Sequence, residues 1–244
     1  MRRTSVVLLC GSVLAAIATT ATPVASAAGQ CRAGQVSTVG TSTTAFAAVA
    51  RGTTAVYRRP GAALLTTFPR LNGLDYPTTF SIVGAILNAR CEASWYRVKL
   101  PMRPNGVVGY VRPANVAVEK VTTRISVDLS RRELLFYRAG RLALKIPVGV
   151  GSPATPTPIG RYYVNQRLVP TDTGGPFGPG AIGISAFSPV LTGWAQGGPV
   201  AIHGTNEPWS IGHAVSNDCI RLPNDTLERL FKVVPPGAQV IIHP

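Results

Sequence analysis

Short runs in which apolar and polar residues alternate, broken by Gly, Pro and Asn, recur along most of the chain and predict strands. Ala55-Val56-Tyr57-Arg58 is one run, closed by Pro60-Gly61. Residues 80–87 are apolar around Gly84, Trp95-Tyr96-Arg97-Val98-Lys99-Leu100 alternates, and Pro104-Asn105-Gly106 turns the chain before residues 107–111. Strands this short over residues 51–118 predict a small β-barrel. A second β-region starts near Val121: residues 125–129, 133–137 and 142–146 alternate across the turns Ser130-Arg131-Arg132 and Ala139-Gly140, which predicts a meander. Further strands are expected at 161–164 and 239–243, and the Gly- and Pro-rich residues 171–183 read as a loop lining a binding site. A single helix is predicted over residues 226–233, with Asn224 as its N-cap and Pro235-Pro236-Gly237 as its stop. The fold class is mainly β with one short helix.

Composition narrows the class. Hydrophobic residues are 45% and charged residues 14% of the 244, which excludes a disordered, highly charged chain. Residues 28–50, almost uncharged and rich in Ala, Thr, Ser, Gly and Val, read as a low-complexity lead-in. Arg2 and Arg3 precede an apolar run over residues 6–18, and Ala25-Ser26-Ala27 fits a cleavage site, so residues 1–27 are expected to be a signal peptide. No later apolar run is long enough for a transmembrane segment, so an exported protein, soluble or bound at the envelope surface, is expected. Lys plus Arg is 24 against 10 Asp plus Glu, net +14. Export and the lack of a basic stripe interleaved with aromatics argue against nucleic acid, whereas anionic wall polymers suit the charge. Cys10 leaves with the signal, and Cys31, Cys91 and Cys219 remain. An odd number leaves one thiol over. Cys31 and Cys91 share the first half and are expected to pair, with Cys219 free.

Two segments carry chemistry: Ala201-Ile202-His203-Gly204-Thr205 and Val215-Ser216-Asn217-Asp218-Cys219-Ile220-Arg221-Leu222. Each places a reactive side chain where an apolar strand runs into a turn. A thiol becomes a useful nucleophile at neutral pH when an imidazole takes its proton. Backbone N–H groups around the turn, including that of Asp218, suit an oxyanion on an attacked carbonyl. Metal ligation fits less well, because the chain has no H-E-x-x-H and no C-x-x-C; no metal and no cofactor are expected.

These residues resemble the L,D-transpeptidase catalytic domain of the YkuD type. The resemblance rests on His203-Gly204-Thr205, on Ser216, Cys219, Ile220 and Arg221, on residues 205–212, and on Thr155-Pro156-Thr157-Pro158-Ile159-Gly160. It covers residues 121–244 and implies a β-rich catalytic domain. In the first half, Trp95-Tyr96-Arg97-Val98 and residues 105–111 resemble a bacterial SH3-like β-barrel at 51–118, which implies a module that binds the cell wall or serves as a spacer. The implied reaction is attack by Cys219 on the third, meso-diaminopimelyl residue of a peptidoglycan stem peptide, with loss of D-Ala. Transfer of the thioester to the side-chain amine of a second stem then links two third-position residues. His203 is the implied general base, and Ser216 and Gly204 support the loop. Arg221, Asn217, Thr205 and Trp209 are the candidate substrate contacts, and carbapenem-type inhibitors are expected to acylate the thiol. The alternatives are an L,D-carboxypeptidase on the same scaffold and a non-catalytic wall-binding protein. His213 and His243 lack motif support, and Trp194 is expected either at the cleft or in packing.

Two positions depart from the family pattern: Asn217 stands for His and Asp218 for Gly. Asp tolerates the positive φ that a glycine there suggests. A carboxylate beside a thiolate opposes it, so Asp218 is expected to point away from the sulfur and to pair with Arg221.

Overall fold

Period-two burial organises the described chain into two large sheets. The computed structural model describes residues 31–193 and 198–244; the expected signal peptide at 1–27 and Trp194 lie outside the described residues. The first sheet contains β1 (Val36–Thr38), β2 (Ala45–Ala50), β3 (Thr54–Tyr57), β4 (Leu64–Phe68), β5 (Thr79–Leu87), β6 (Ala93–Lys99), β7 (Val108–Val111) and β8 (Val116–Val121). Its strands pair antiparallel in the order β4-β3-β7-β6-β5-β2-β8, and β1 continues the β5 edge beyond β2. Phe80, Ile82, Val98 and Val111 fill its core.

The second half holds β9 (Thr123–Asp128), β10 (Glu133–Arg138), β11 (Arg141–Pro147), β12 (Val150–Gly151), β13 (Gly160–Leu168), β14 (Ala181–Phe187), β15 (Pro199–His203), β16 (Ala214–Ser216), β17 (Ile220–Arg221), α1 (Asn224–Val233) and β18 (Gln239–His243). The large sheet runs β11-β10-β9-β18-β13-β14-β15-β17, while β12 and β16 form a small parallel ladder. The meander β9-β10-β11 is as the alternation predicts. The loop expected to reach residue 183 ends earlier, because Ala181-Ile182-Gly183-Ile184 is buried on both faces as the start of β14. No helix among the described residues is long and apolar enough to cross a membrane.

The lead-in expected over residues 28–50 requires correction, because its alanine run is a strand. In β2, Phe46 and Ala48 face the first core, whereas Ala45 and Ala47 belong to the second core with Val121, Val164 and Ala238. Strand alternation turns small residues to both faces, and their size lets two layers close on one strand. Polar contacts join the halves as well. The Tyr163 hydroxyl donates to Lys99 O (3.1 Å), Lys99 Nζ donates to Arg161 O (2.7 Å), and the Asn105 amide clips Phe187 by donating to its O (2.8 Å) and accepting from its N (2.9 Å). Cys31 and Cys91 form a disulfide with a Cα–Cα distance of 5.2 Å, and Cys219 is free. Closing a loop of this size stabilises by about 4 kcal/mol in the chain-entropy model.

Helix α1 buries Thr226, Leu227 and Leu230, a spacing that gives one apolar stripe. Its N-cap is Pro223 rather than Asn224, with the Thr226 and Leu227 N–H groups donating to Pro223 O. Arg167 stacks on Phe231 and donates to the carbonyls of Phe231 and Val234 at the helix end, where unpaired carbonyls attract a cation.

Candidate active site

Strand register brings the two reactive side chains to one place. β15 and β17 pair in parallel, with Ile202 opposite Ile220 and His203 opposite Arg221. Ile202 and Ile220 point into the core, so the alternate residues Ala201 and His203 on one strand, and Cys219 and Arg221 on or beside the other, share the opposite face. His203, Cys219, Arg221, Ser216 and Asn217 line one cavity of about 240 Å³, closed by Pro176 and Phe177 from the Gly/Pro loop. The Phe177 ring meets the His203 ring edge-on at 5.0 Å.

His203 is buried, and its Nδ1 lies 2.5 Å from Gly204 O. A carbonyl only accepts, so Nδ1 carries the hydrogen and Nε2 keeps the lone pair able to take a proton. Burial pushes the imidazole pKa down to about 4; the Gly204 carbonyl opposes that fall and the Arg221 charge adds to it. Cys219 is half-buried, and burial pushes its thiol up to about 12. The Ala201 N–H on the sulfur works against this rise, the Asp218 carboxylate with it, and Arg221 against it. The resting pair is therefore neutral thiol and neutral imidazole.

The turn before Cys219 is held by hydrogen bonds. The Ser216 hydroxyl donates to Cys219 O (2.5 Å), Asp218 N donates to Thr155 O (3.0 Å), and the Thr155 hydroxyl donates to Ser216 O (3.0 Å). The Thr-Pro segment seen in the sequence thus supports the turn from behind. Gly204 is required for space: a Cβ there would lie 2.4 Å from Asn224 Oδ1 and 2.8 Å from Pro179 Cδ. Asn224 Oδ1 instead accepts from the buried Thr205 N–H at 2.7 Å, so this side chain anchors the histidine loop rather than capping its own helix.

The expected Arg221–Asp218 pair is not formed. Asp218 has φ 65°, as expected, but its carboxylate faces the sulfur: the thiol donates to Oδ1 at 3.7 Å. Arg221 pairs with Glu207 Oε2 at 2.5 Å. The Asp218 carboxylate, set in a turn of positive φ ahead of β17, goes to the sulfur, whereas the 205–212 loop brings Glu207 to Arg221. Asp218 is buried and its Oδ2 has no hydrogen-bond partner among the described residues. Burial raises its carboxyl above the ordinary carboxylate range, while the Ser188 hydroxyl, the thiol and Arg103 act the other way.

Thr205 and Trp209 do not join the thiol. Thr205 spends its hydroxyl on Glu207 N (2.9 Å), inside the loop, and Trp209 is 60% exposed with its ring 6.5 Å from that of His213. His213 is exposed, and His243 meets the Ser126 hydroxyl at 3.2 Å, far along the chain from the site motifs. Phe177, Ser188 and Arg103 sit at the site without a local motif, and only the Gly/Pro richness around Phe177 signals one of them.

Residues 122–242 match the family model of the YkuD L,D-transpeptidase catalytic domain. The chain is 36% identical over 126 residues to the YkuD protein of Bacillus licheniformis, named as an L,D-transpeptidase, covering 52% of this chain and 68% of that protein. To YkuD of Bacillus subtilis it is 33% identical over 134 residues, covering 55% and 68%. An L,D-transpeptidase structure from Mycobacterium smegmatis aligns over 62% of this chain and 78% of its own at 17% identity, with a TM-score of 0.40. With the family model lying over the half that carries His203 and Cys219, and a relative matched over two thirds of its own length, the chain belongs to the YkuD family of L,D-transpeptidases.

Proposed function

We propose that this protein is an exported peptidoglycan L,D-transpeptidase that works through a Cys219 thioester. The observation that carries the reading is the shared face of Cys219 and His203, with Nδ1 tied to Gly204 and Nε2 left to accept a proton. The Cys219 sulfur attacks the carbonyl of the third stem residue as its proton passes to His203 Nε2. Because both groups rest neutral, proton transfer accompanies the attack rather than preceding it. Collapse of the tetrahedral centre breaks the bond to D-Ala, whose amine takes the proton from His203. The side-chain amine of a second stem then attacks the thioester and returns the thiol, joining two meso-diaminopimelyl residues. Carbapenem-type β-lactams acylate the same sulfur on this reading.

The Cys31–Cys91 disulfide supports an oxidising compartment, and the Arg2-Arg3 start with its apolar run supports export. The first half, expected as an SH3-like module, is read as the wall-binding part. One observation favours a rival, a wall-binding protein without catalysis: the Asp218 carboxylate facing the thiol. Mass spectrometry after incubation with a tetrapeptide stem separates the two. The expected result is a Cys219 adduct equal to the stem less D-Ala, absent in Cys219→Ala and formed about 100-fold more slowly in His203→Ala. No adduct on the native protein would reject the enzyme reading. Catalytic turnover of the stem to free tripeptide and D-Ala, with no cross-linked dimer formed, would assign the carboxypeptidase instead.

A further inference from the structure

The space at Cys219 continues away from His203. A narrow channel of about 60 Å³ runs from Cys219 and Ala201 past Leu168 and Phe177. Leu74, Gln166 and Pro199 line both this channel and a wider cavity of about 350 Å³, so the two adjoin. The wider cavity lies between the halves of the chain: Phe68, Asn72 and Leu74 come from β4 and the segment after it, and Asn165, Ile184 and Phe187 from β13 and β14.

Its walls are fixed on both sides. Asn72 Oδ1 accepts from Leu74 N (2.9 Å) and Tyr76 N (3.1 Å), holding Leu74 toward the second half. The Asn105 clip holds Phe187. Gly183 makes room at the junction, since a Cβ there would lie 2.1 Å from Gln166 Cγ.

The lining chemistry selects the ligand. Neither cavity is lined by Asp, Glu, Lys, Arg or His. A charged group entering them loses water without gaining a partner, which is costly. The stem peptide carries charges at its third residue and its terminal carboxylate, so it fits poorly here. The neutral part of the same polymer is its N-acetylated glycan. Sugar rings offer C–H faces to Phe68 and Phe187, and their hydroxyl and acetamido groups match the amides of Asn72, Asn165 and Gln166 and the hydroxyls of Thr78 and Thr79. The volume lies within the range of built ligand pockets. We propose that the cavity between the halves, beside the space at Cys219, binds the N-acetylated glycan strand and leaves the charged stem outside it. This rests on the peptidoglycan reading above and adds the site that places the strand.

The test uses the Cys219→Ala full-length protein, which does not turn over, titrated by calorimetry with the β-1,4-linked tetramer of N-acetylglucosamine. The tetramer is expected to bind in the millimolar range, and about tenfold or more weaker when Leu74→Glu or Gln166→Ala is added with an unchanged melting temperature. No binding to the parent protein, equal binding in both variants, or displacement of the tetramer by free tetrapeptide stem would overturn the proposal. Gln166→Ala keeps the test open if Leu74→Glu fails to fold. Adduct formation on native Cys219 is read separately, so failure of the reaction and failure of the glycan site give different results.

Discussion

Asp218 is the residue whose surroundings matter most for the chemistry. Its carboxylate at 3.7 Å from the sulfur opposes a thiolate by about 4 kcal/mol at an effective dielectric of 20. The sign follows: a negative neighbour raises the thiol pKa, as burial already does, so removing the charge lowers it. Asp218→Asn is therefore expected to move the pH profile of Cys219 alkylation by iodoacetamide downward by about one unit or more. An unmoved profile would mean that the carboxylate does not act on the sulfur and that burial sets the thiol. Sequence alone singled out the pair that the fold brings to one cavity, because His203-Gly204-Thr205 and Ser216 to Arg221 are contiguous motifs. It misassigned the partner of Arg221, because Glu207 reaches it through a loop whose path no local pattern encodes.

Elements were legible where burial alternates and obscure where it does not. The meander and α1 follow from periodicity, whereas β2 hides in a run of alanines buried on both faces. Asn224 was visible as a capping residue type, but its acceptor serves Thr205 on another segment because Pro223 occupies the cap. This bond links α1 to the loop that carries Gly204, the partner of His203. Asn224→Ala is expected to cost about 1 kcal/mol or more by leaving the buried Thr205 N–H without its acceptor. Asn224→Asp retains an acceptor oxygen and is expected to unfold closer to the native protein in a thermal melt. Equal losses in the two variants would show that the helix, and not this bond, is what the substitution disturbs.

At the scale of the molecule, the two regions that the sequence separates are physically one body over residues 31–244. β2 belongs to the first sheet by hydrogen bonding, yet it gives Ala45 and Ala47 to the second core, and the cavity of about 350 Å³ is lined from both halves. Neither core closes without that strand, so unfolding is expected to be cooperative across both halves. In a urea titration of the Trp194→Phe, Trp209→Phe protein, Trp95 fluorescence reports the first sheet, and hydrogen exchange of the β13 and β14 amides reports the second. Their midpoints are expected to coincide. Ala47→Glu places an unpaired carboxylate where the native residue is fully buried in the second core. A buried polar group left without a partner costs about 1–3 kcal/mol, and more when charged, so this substitution is expected to lower both midpoints together. Two separated transitions, or a loss confined to the Trp95 signal, would show that the second half stands without β2 and that the shared strand is only a contact.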